Sequence, residues 1–459
     1  MIAIRINNQS VDISPGTSLN LEQVSPYLNF NVIEPSRVLP FTLPFTPQNR
    51  KIFQWAERSE STGLRSQTYY AEKYSDSHCI EKGIVEILDI NNGYNLVFIK
   101  NLSDLFGEYG KELITKMPLG SEPAPALSAA TKDPDLDAYC FPTVINPAFY
   151  GVYPYGGKVN DSAAGSPVVP MFFVKWLLLK MATICDFTVD GPFMTHPVWK
   201  RLVIYNTFSL DSATVLDYRN HLPELRLMEF LMELRRALCL TFDFDMRERR
   251  LTIGFFEDIL DAPTTTNWSN KTAWDYNKKP VRDTRMEMAV LADSNDATTK
   301  KPSPNLLTDK YLTAFDPQNP REGIFKIDTK WGSLLTDAAT GLPFTEQAGI
   351  SPQYNQQTNK FAARLLFYDS ANVATSSRAG QSLHVTGPTG LQAARWAKYE
   401  AWVRQSFETK QRVWLTSTDV ASFDFRNKVF INGQNYLVSQ LNTQFPIAGQ
   451  SQATLMRVQ

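Results

Sequence analysis

The chain has 459 residues, 43% of them apolar and 20% charged, which allows sizeable cores and, at roughly 150 residues per domain, about three domains. Its 46 basic and 47 acidic residues leave a net charge of −1, which argues against a dedicated nucleic-acid or anionic-membrane binder. Such a balance also gives copies of the chain little mutual repulsion. The most apolar window, VVPMFFVKWLLLKMATICDF, is broken by Pro170, Lys175 and Lys180 and is too short to span a bilayer, and the N-terminus shows no secretory leader. Cys79, Cys140, Cys185 and Cys239 are too far apart for a metal knuckle and read as buried thiols of a reducing compartment.

Residues 1–118 read as a β-rich, barrel-like domain. IAIRI, VDI, SLNLEQV and NFNVI are short strand-like runs broken by Pro15-Gly16, Pro26 and Pro35. In RVLPFTLPFTPQNRKIF (37–53), prolines 40, 44 and 47 exclude a helix interior and a central strand. That segment reads as an extended arm or edge anchored by Phe41, Phe45 and Phe53, laid over the same chain or another copy. IVEILDI and YNLVFI flank Asn91-Asn92-Gly93, a strong hairpin signal. A helix is expected over 103–117, capped by Ser103 or Asp104 and ended by Pro118.

Residues 119–168, rich in Pro, Gly, Ser and Ala, read as a surface-crossing linker or an interaction loop. Residues 169–260 carry one pattern twice. An apolar helical stretch runs into FTV and then RLVIYN in the first copy, and into LTFDF and then RLTIGFF in the second, with Cys185 over Cys239 and Trp176 over Phe230. The two are a duplicated helix–strand–strand unit or simply two amphipathic helices that share a period.

Residues 261–385 read as a second β-rich domain with long loops. PTTTNWSNKTAWDYNKKPV is a polar loop exposing Trp268 and Trp274, RMEMAVLAD, GIFKIDTKW and KFAARLLFYDS are strands, and 294–310 and 336–359 are loops. In 386–459, a helix over LQAARWAKYEAWVRQSFETKQ presents Trp396, Tyr399, Trp402 and Val403 on one face, followed by strands and an Asn432-Gly433 hairpin. The expected fold class is therefore α+β and multidomain, with two mainly-β barrel-like domains around the repeated α/β region.

No catalytic, cofactor-binding or metal-binding set emerges. His78-Cys79 would point to opposite faces of a strand, and His196, His221 and His384 stand alone. Asp133, Asp135 and Asp137 lack the glycine and distal glutamate of a calcium loop, so a solvated loop is expected there and again at Asp293–Asp296. Arg235, Arg236, Arg247, Arg249 and Arg250 alternate with Asp243, Asp245 and Glu248, which reads as a salt-bridged solvent face. Aromatics in proline-rich loops are the strongest functional signal, and they indicate assembly.

Several stretches together resemble one family. LPELRLMEFLMELRRALCLTFDFDMRERRLTIGFFEDI is similar to the helix-to-strands segment of tail hub and tail-tip (baseplate hub, tail-associated) proteins of tailed bacteriophages and related injection machines. VLPFTLPFTPQNRKIF, YCFPTVINPAFYG, ARLLFYDS and TDVASFDFRNKVFINGQNYLVSQLNTQ fit a subset of those proteins. The resemblance implies a ring of copies, usually three and alternatively six, whose two barrel-like domains per chain mimic two tube subunits. Here 1–118 and 281–385 would be those barrels. Such a ring joins the tail tube protein to a distal spike or fibre protein in the virion tail, assembled in the bacterial host cytoplasm. Larger relatives carry a C-terminal fibre, peptidase or lysozyme-like extension not found in this sequence, so any wall cleavage is expected of a partner chain. The expected function is a structural tail adaptor without a cofactor, enzymatic activity, membrane span or sequence-specific nucleic-acid contact. The competing readings are a receptor- or glycan-binding module using Trp268 and Trp274, and a virion-associated wall hydrolase.

Overall fold

The computed structural model describes residues 2–458 except 34–36, 61–67, 100–105, 129, 152, 154, 164, 246–247, 292–308, 355–360 and 448. The fold is α+β. Its largest element is a 13-stranded sheet drawn from both ends of the chain. In spatial order the N-terminal half contains Leu19–Val24, Arg37–Leu43, Tyr94–Ile99, His78–Ile90, Thr68–Ser75 and Ile2–Ile6. The C-terminal half contains Gln434–Phe445, Ser451–Val458, Phe407–Val413 and the outermost strand Thr272–Pro280.

The halves meet where Leu19–Val24 runs antiparallel to Gln434–Phe445, with Leu19 opposite Phe445 and Val24 opposite Gln440. Alternation decides which side of each strand is buried, so Leu19 and Leu21 face the same core as Val438, Leu441 and Phe445. The sheet cannot be flat. The short helix Ser417–Ala421, capped by Thr416 and Asp419, packs on His78–Ile90, and Ser417 Oγ lies 2.8 Å from Ser75 Oγ. That contact draws the two half-barrels together. Residues 1–118 and 386–459, separable in sequence, thus share one sheet and one core.

The proline-rich arm is a strand, Arg37–Leu43, followed by the helix Pro47–Ile52. The strand lies between two others, which the prolines were expected to forbid. Pro40 is tolerated because the pairing with Tyr94–Ile99 shifts register between Val38 and Phe41, and because Leu19–Val24 pairs only with Arg37 and Val38. From Phe41 onward the strand is an edge on that side. Pro47 begins its helix, where a missing N–H costs nothing, under the Thr46 cap. The hairpin at Asn91-Asn92-Gly93 forms as expected, and Gly93 is required by close approach: a Cβ there would sit 2.5 Å from the Leu43 carbonyl oxygen.

Other expectations need correction. In place of a helix over 103–117 there are 3₁₀ turns at Gly107–Lys111 and Ile114–Lys116, while Ser103 and Asp104 lie outside the described residues. Gly107 at φ +54° breaks the helix, and the backbone pairs instead with 225–227 (Ile114 N to Leu225 O 2.9 Å, Leu227 N to Glu112 O 3.1 Å). Residues 119–168 do more than cross a surface. Val144, Phe149, Tyr150 and Val159 enter a core with Met171, Phe173, Tyr205 and Leu366. Asn160, fully buried, accepts from Val169 N at 2.7 Å and donates to the Pro142 and Val169 carbonyls.

The two α/β units share element order but not pairing. Their helices are Val174–Ile184 and Leu227–Leu238. Leu240–Asp245 and Arg250–Phe255 form a hairpin, and the first unit's Thr188–Asp190 adds in parallel to it. The first unit's other strand, Leu202–Tyr205, pairs with Met171–Phe173 and Arg364–Ser370 in a separate five-stranded sheet. Among the described residues the strands of 261–385 are divided among several sheets: Thr272–Pro280 belongs to the large sheet, Asp283–Val290 to a three-stranded one and Arg364–Ser370 to the five-stranded one. The last helix stops at Gln405, after which FETKQRV is a strand. Trp396 and Trp402 are buried, and Trp396 and Tyr399 pack around Phe30 at 4.5 and 5.1 Å. No helix among the described residues is long and apolar enough to cross a membrane.

Candidate interaction surfaces

Among the described residues, His78, His196, His384 and the acidic loop at Asp133–Asp137 are committed to local contacts. His78 Nδ1 faces its neighbour Asp76's carbonyl at 3.1 Å and Nε2 faces Thr418 Oγ1 at 3.4 Å, while Ser417 donates directly to the Asp76 carboxylate. The histidine therefore makes no contact with Ser417 and cannot serve as its base. His196 Nδ1 accepts from Val198 N at 3.1 Å and Trp199 N at 3.3 Å, which makes it a local cap. His384 lies 3.5 Å from Asp309, whose carboxylate also accepts from Val385 N and Thr386 N. Lys175 and Lys200 each reach Asp135 at 2.5 Å and hold its carboxyl below the usual range, so this acidic loop is ion-paired rather than open to a cation. Among the described residues no group of His, Cys, Asp and Glu is placed to hold a metal ion.

The arginine run is only partly a solvent face. Arg236 pairs with Glu233 at 2.8 Å, but Arg235 is wholly buried. Its Nη2 donates to the Pro26 carbonyl at 2.6 Å, its Nε to that of Leu240 at 3.4 Å, and its guanidinium lies 4.9 Å from the Phe30 ring centre. Helix phase explains the correction: position 235 follows Leu231 by four residues on the inner face of Leu227–Leu238. Arg247 and Asp293–Asp296 lie outside the described residues.

The five aromatic candidates separate into two groups. Phe41 and Phe53 are buried in the chain's own core, and Phe45 is half-buried with its ring 5.0 Å from Tyr94. The arm thus latches onto its own sheet. Trp268, expected in an exposed loop, is 2% exposed because Trp268 N donates to the Phe430 carbonyl and the indole packs on Phe423. Trp274 is 92% exposed. Trp268→Ala is expected to lower the thermal midpoint by several degrees, as loss of a buried indole should. Trp274→Ala is expected to leave the midpoint within about one degree; differential scanning calorimetry checks both.

Sequence reasoning missed what surrounds Trp274. WDYNKKP is not a loop but part of the outermost strand of the largest sheet, with Tyr276 65% exposed and Trp414, whose N donates to the Lys271 carbonyl just before the strand, 51% exposed. The signal was present: alternation from Ala273, then two lysines and a proline, residues that natural sheets place on edges.

No family model and no curated protein matches the chain. Among solved structures it is similar to the 43 kDa tail protein of prophage MuSo2 from Shewanella oneidensis, at 9% identity and TM-score 0.40 over 100% of this chain and 98% of that one. It is similar also to a tail protein from Neisseria meningitidis MC58, at 8% identity and TM-score 0.38 over 99% and 95% of the two chains. A third is prophage tail protein gp18 from Listeria monocytogenes EGD-e, at 8% identity and TM-score 0.41 over 99% and 94%.

Proposed function

We propose that the chain is a structural protein of a phage-type tail, a hub or tail-tip adaptor that forms a ring of three copies between the tail tube and a distal spike or fibre. The observation that carries this reading is the seam between Leu19–Val24 and Gln434–Phe445. Through it one chain supplies two curved β-layers side by side, so three chains would present six such layers around an axis, matching a sixfold tube above and a threefold partner below. The resemblance of the helix-to-strands segment and of the proline-rich arm to tail hub proteins supports the same reading. Its place would be the virion tail, assembled in the host cytoplasm, with the tube and spike proteins as neighbours.

A glycan-binding platform built on both Trp268 and Trp274 is less well supported, since the first is buried. A wall hydrolase would need a base beside a nucleophile or two carboxylates facing one cleft, and the His78–Ser417 neighbourhood does not provide the former. The test is the native mass by light scattering over a concentration series, with negative-stain images. A trimer with a central opening is expected. A monomer at every concentration, both alone and with the tube protein, would overturn the reading.

A further inference from the structure

Thr272–Pro280 ends the largest sheet. Among the described residues it pairs only with Phe407–Val413, so one side of its backbone has no strand neighbour. From Tyr276 opposite Gln411 to Pro280 opposite Phe407 the register is unbroken. The outward side of that stretch therefore offers carbonyl acceptors and, short of Pro280, which has no N–H, donors, to which an extended segment can add as a further strand. Upstream the register shifts between Thr272 and Tyr276, and Trp274 stands in that irregularity, almost wholly in water. Trp414 N donates to the Lys271 carbonyl at 2.7 Å, which holds the second exposed indole beside the start of the strand.

The charges on this ribbon do not cancel. Lys279 pairs with Glu408 at 2.9 Å and Arg412 pairs with Asp275. Lys278 lies 3.6 Å from the Phe407 ring centre without a carboxylate, and Lys410 has no ion-pair partner among the described residues. Since Lys278 stands opposite Thr409 and Lys410 opposite Asn277, each face of the ribbon carries one unmatched cation.

We propose that Tyr276–Pro280 is a docking strand for an extended acidic segment of a different protein, which extends the sheet there and is covered at one end by Trp274. Charge selects this occupant. A second copy pairing edge to edge would set Lys278 and Lys279 against their own kind, and lysines on an edge strand are a common device against such self-pairing. An incoming strand with carboxylates on both faces turns the same lysines into attraction. The proposal does not need the ring: a trimer that ignores acidic strands would sink this inference alone.

The probe is a labelled ten-residue peptide with threonine and glutamate in successive pairs (TTEETTEETT), which puts carboxylates on both faces of a strand, titrated onto the full-length chain and followed by fluorescence anisotropy. The controls are the threonine–lysine peptide of the same pattern, the acidic peptide N-methylated at every residue so that neither edge can donate, and single-stranded oligothymidine. The acidic peptide is expected to bind, to weaken as salt rises, and to lose about tenfold in affinity to the Lys278→Glu/Lys410→Glu variant. Trp274→Ala should weaken it further, and N-methylation should abolish binding because the backbone row can no longer be met. These side chains are exposed, so unchanged thermal midpoints separate lost docking from lost folding. Equal binding of the lysine peptide, tighter binding of oligothymidine, indifference to N-methylation or indifference to the charge reversal would each overturn the proposal.

Discussion

Arg235→Ala is expected to lower folding stability by about 3 kcal/mol, the sum of two orphaned carbonyls, a lost cation–ring contact and a cavity. The side chain holds the segment around Pro26 and Phe30 against the end of Leu227–Leu238, where Trp396 and Tyr399 also meet Phe30. Burial lowers the pKa of its guanidinium to about 10, which still leaves it charged at neutral pH. Arg235→Met should fall between parent and alanine variant, because methionine refills the volume but donates nothing to Pro26 or Leu240. Urea midpoints for the three proteins check the order. Limited proteolysis adds a local readout: the alanine variant should be nicked first near residues 25–33. An alanine variant as stable as the parent would refute the pinning role.

His221 should make the fold acid-sensitive. It is buried, its Nδ1 faces Asn206 Oδ1 at 3.2 Å, and burial pushes its pKa down to about 3. An unfolded histidine titrates near about 6.5, so below that pH the unfolded chain takes up a proton that the folded chain refuses. The group costs nothing above about pH 6.5 and then roughly 1.4 kcal/mol per pH unit until its folded pKa is reached, which amounts to about 2.7 kcal/mol at pH 4.5. His221→Gln removes the titration. The parent's thermal midpoint should therefore drop more steeply than the variant's between pH 7 and 4.5. The difference between the two is the readout, since Glu233 and Asp258, whose pKa values are raised by burial, push the other way as pH falls. Parallel curves would show that His221 is not held neutral.

What could be read in the sequence was local. The Asn432-Gly433 turn needs only two residues that accept positive φ, and it has them at +45° and +90°. The aromatic face at Trp396 and Trp402 follows from helical spacing, and the two helices of the α/β region from their apolar periods. What could not be read depends on partners hundreds of residues away. Pro40 sits inside a sheet because Tyr94–Ile99 shifts register to receive it. Trp268 is covered because Phe430 and Phe423 lie across from it. Nothing near Leu19 announces Phe445. The docking edge lies between these cases: its lysines and proline were visible, but that it ends a sheet is a fact of topology.

The seam between Leu19–Val24 and Gln434–Phe445 also sets an order in time. Strands made early in synthesis, such as Leu19–Val24, find that neighbour only after more than four hundred further residues have been made, as the bond between Gln440 and Glu22, separated by 418 positions, illustrates. Pairings that distant close slowly, and an unfilled strand edge is exposed to wrong partners meanwhile. Helix Leu227–Leu238 and the hairpin of Leu240–Asp245 with Arg250–Phe255, neighbours in sequence, need neither end of the chain to form. The newborn protein is therefore expected to form this local unit before its largest sheet is whole.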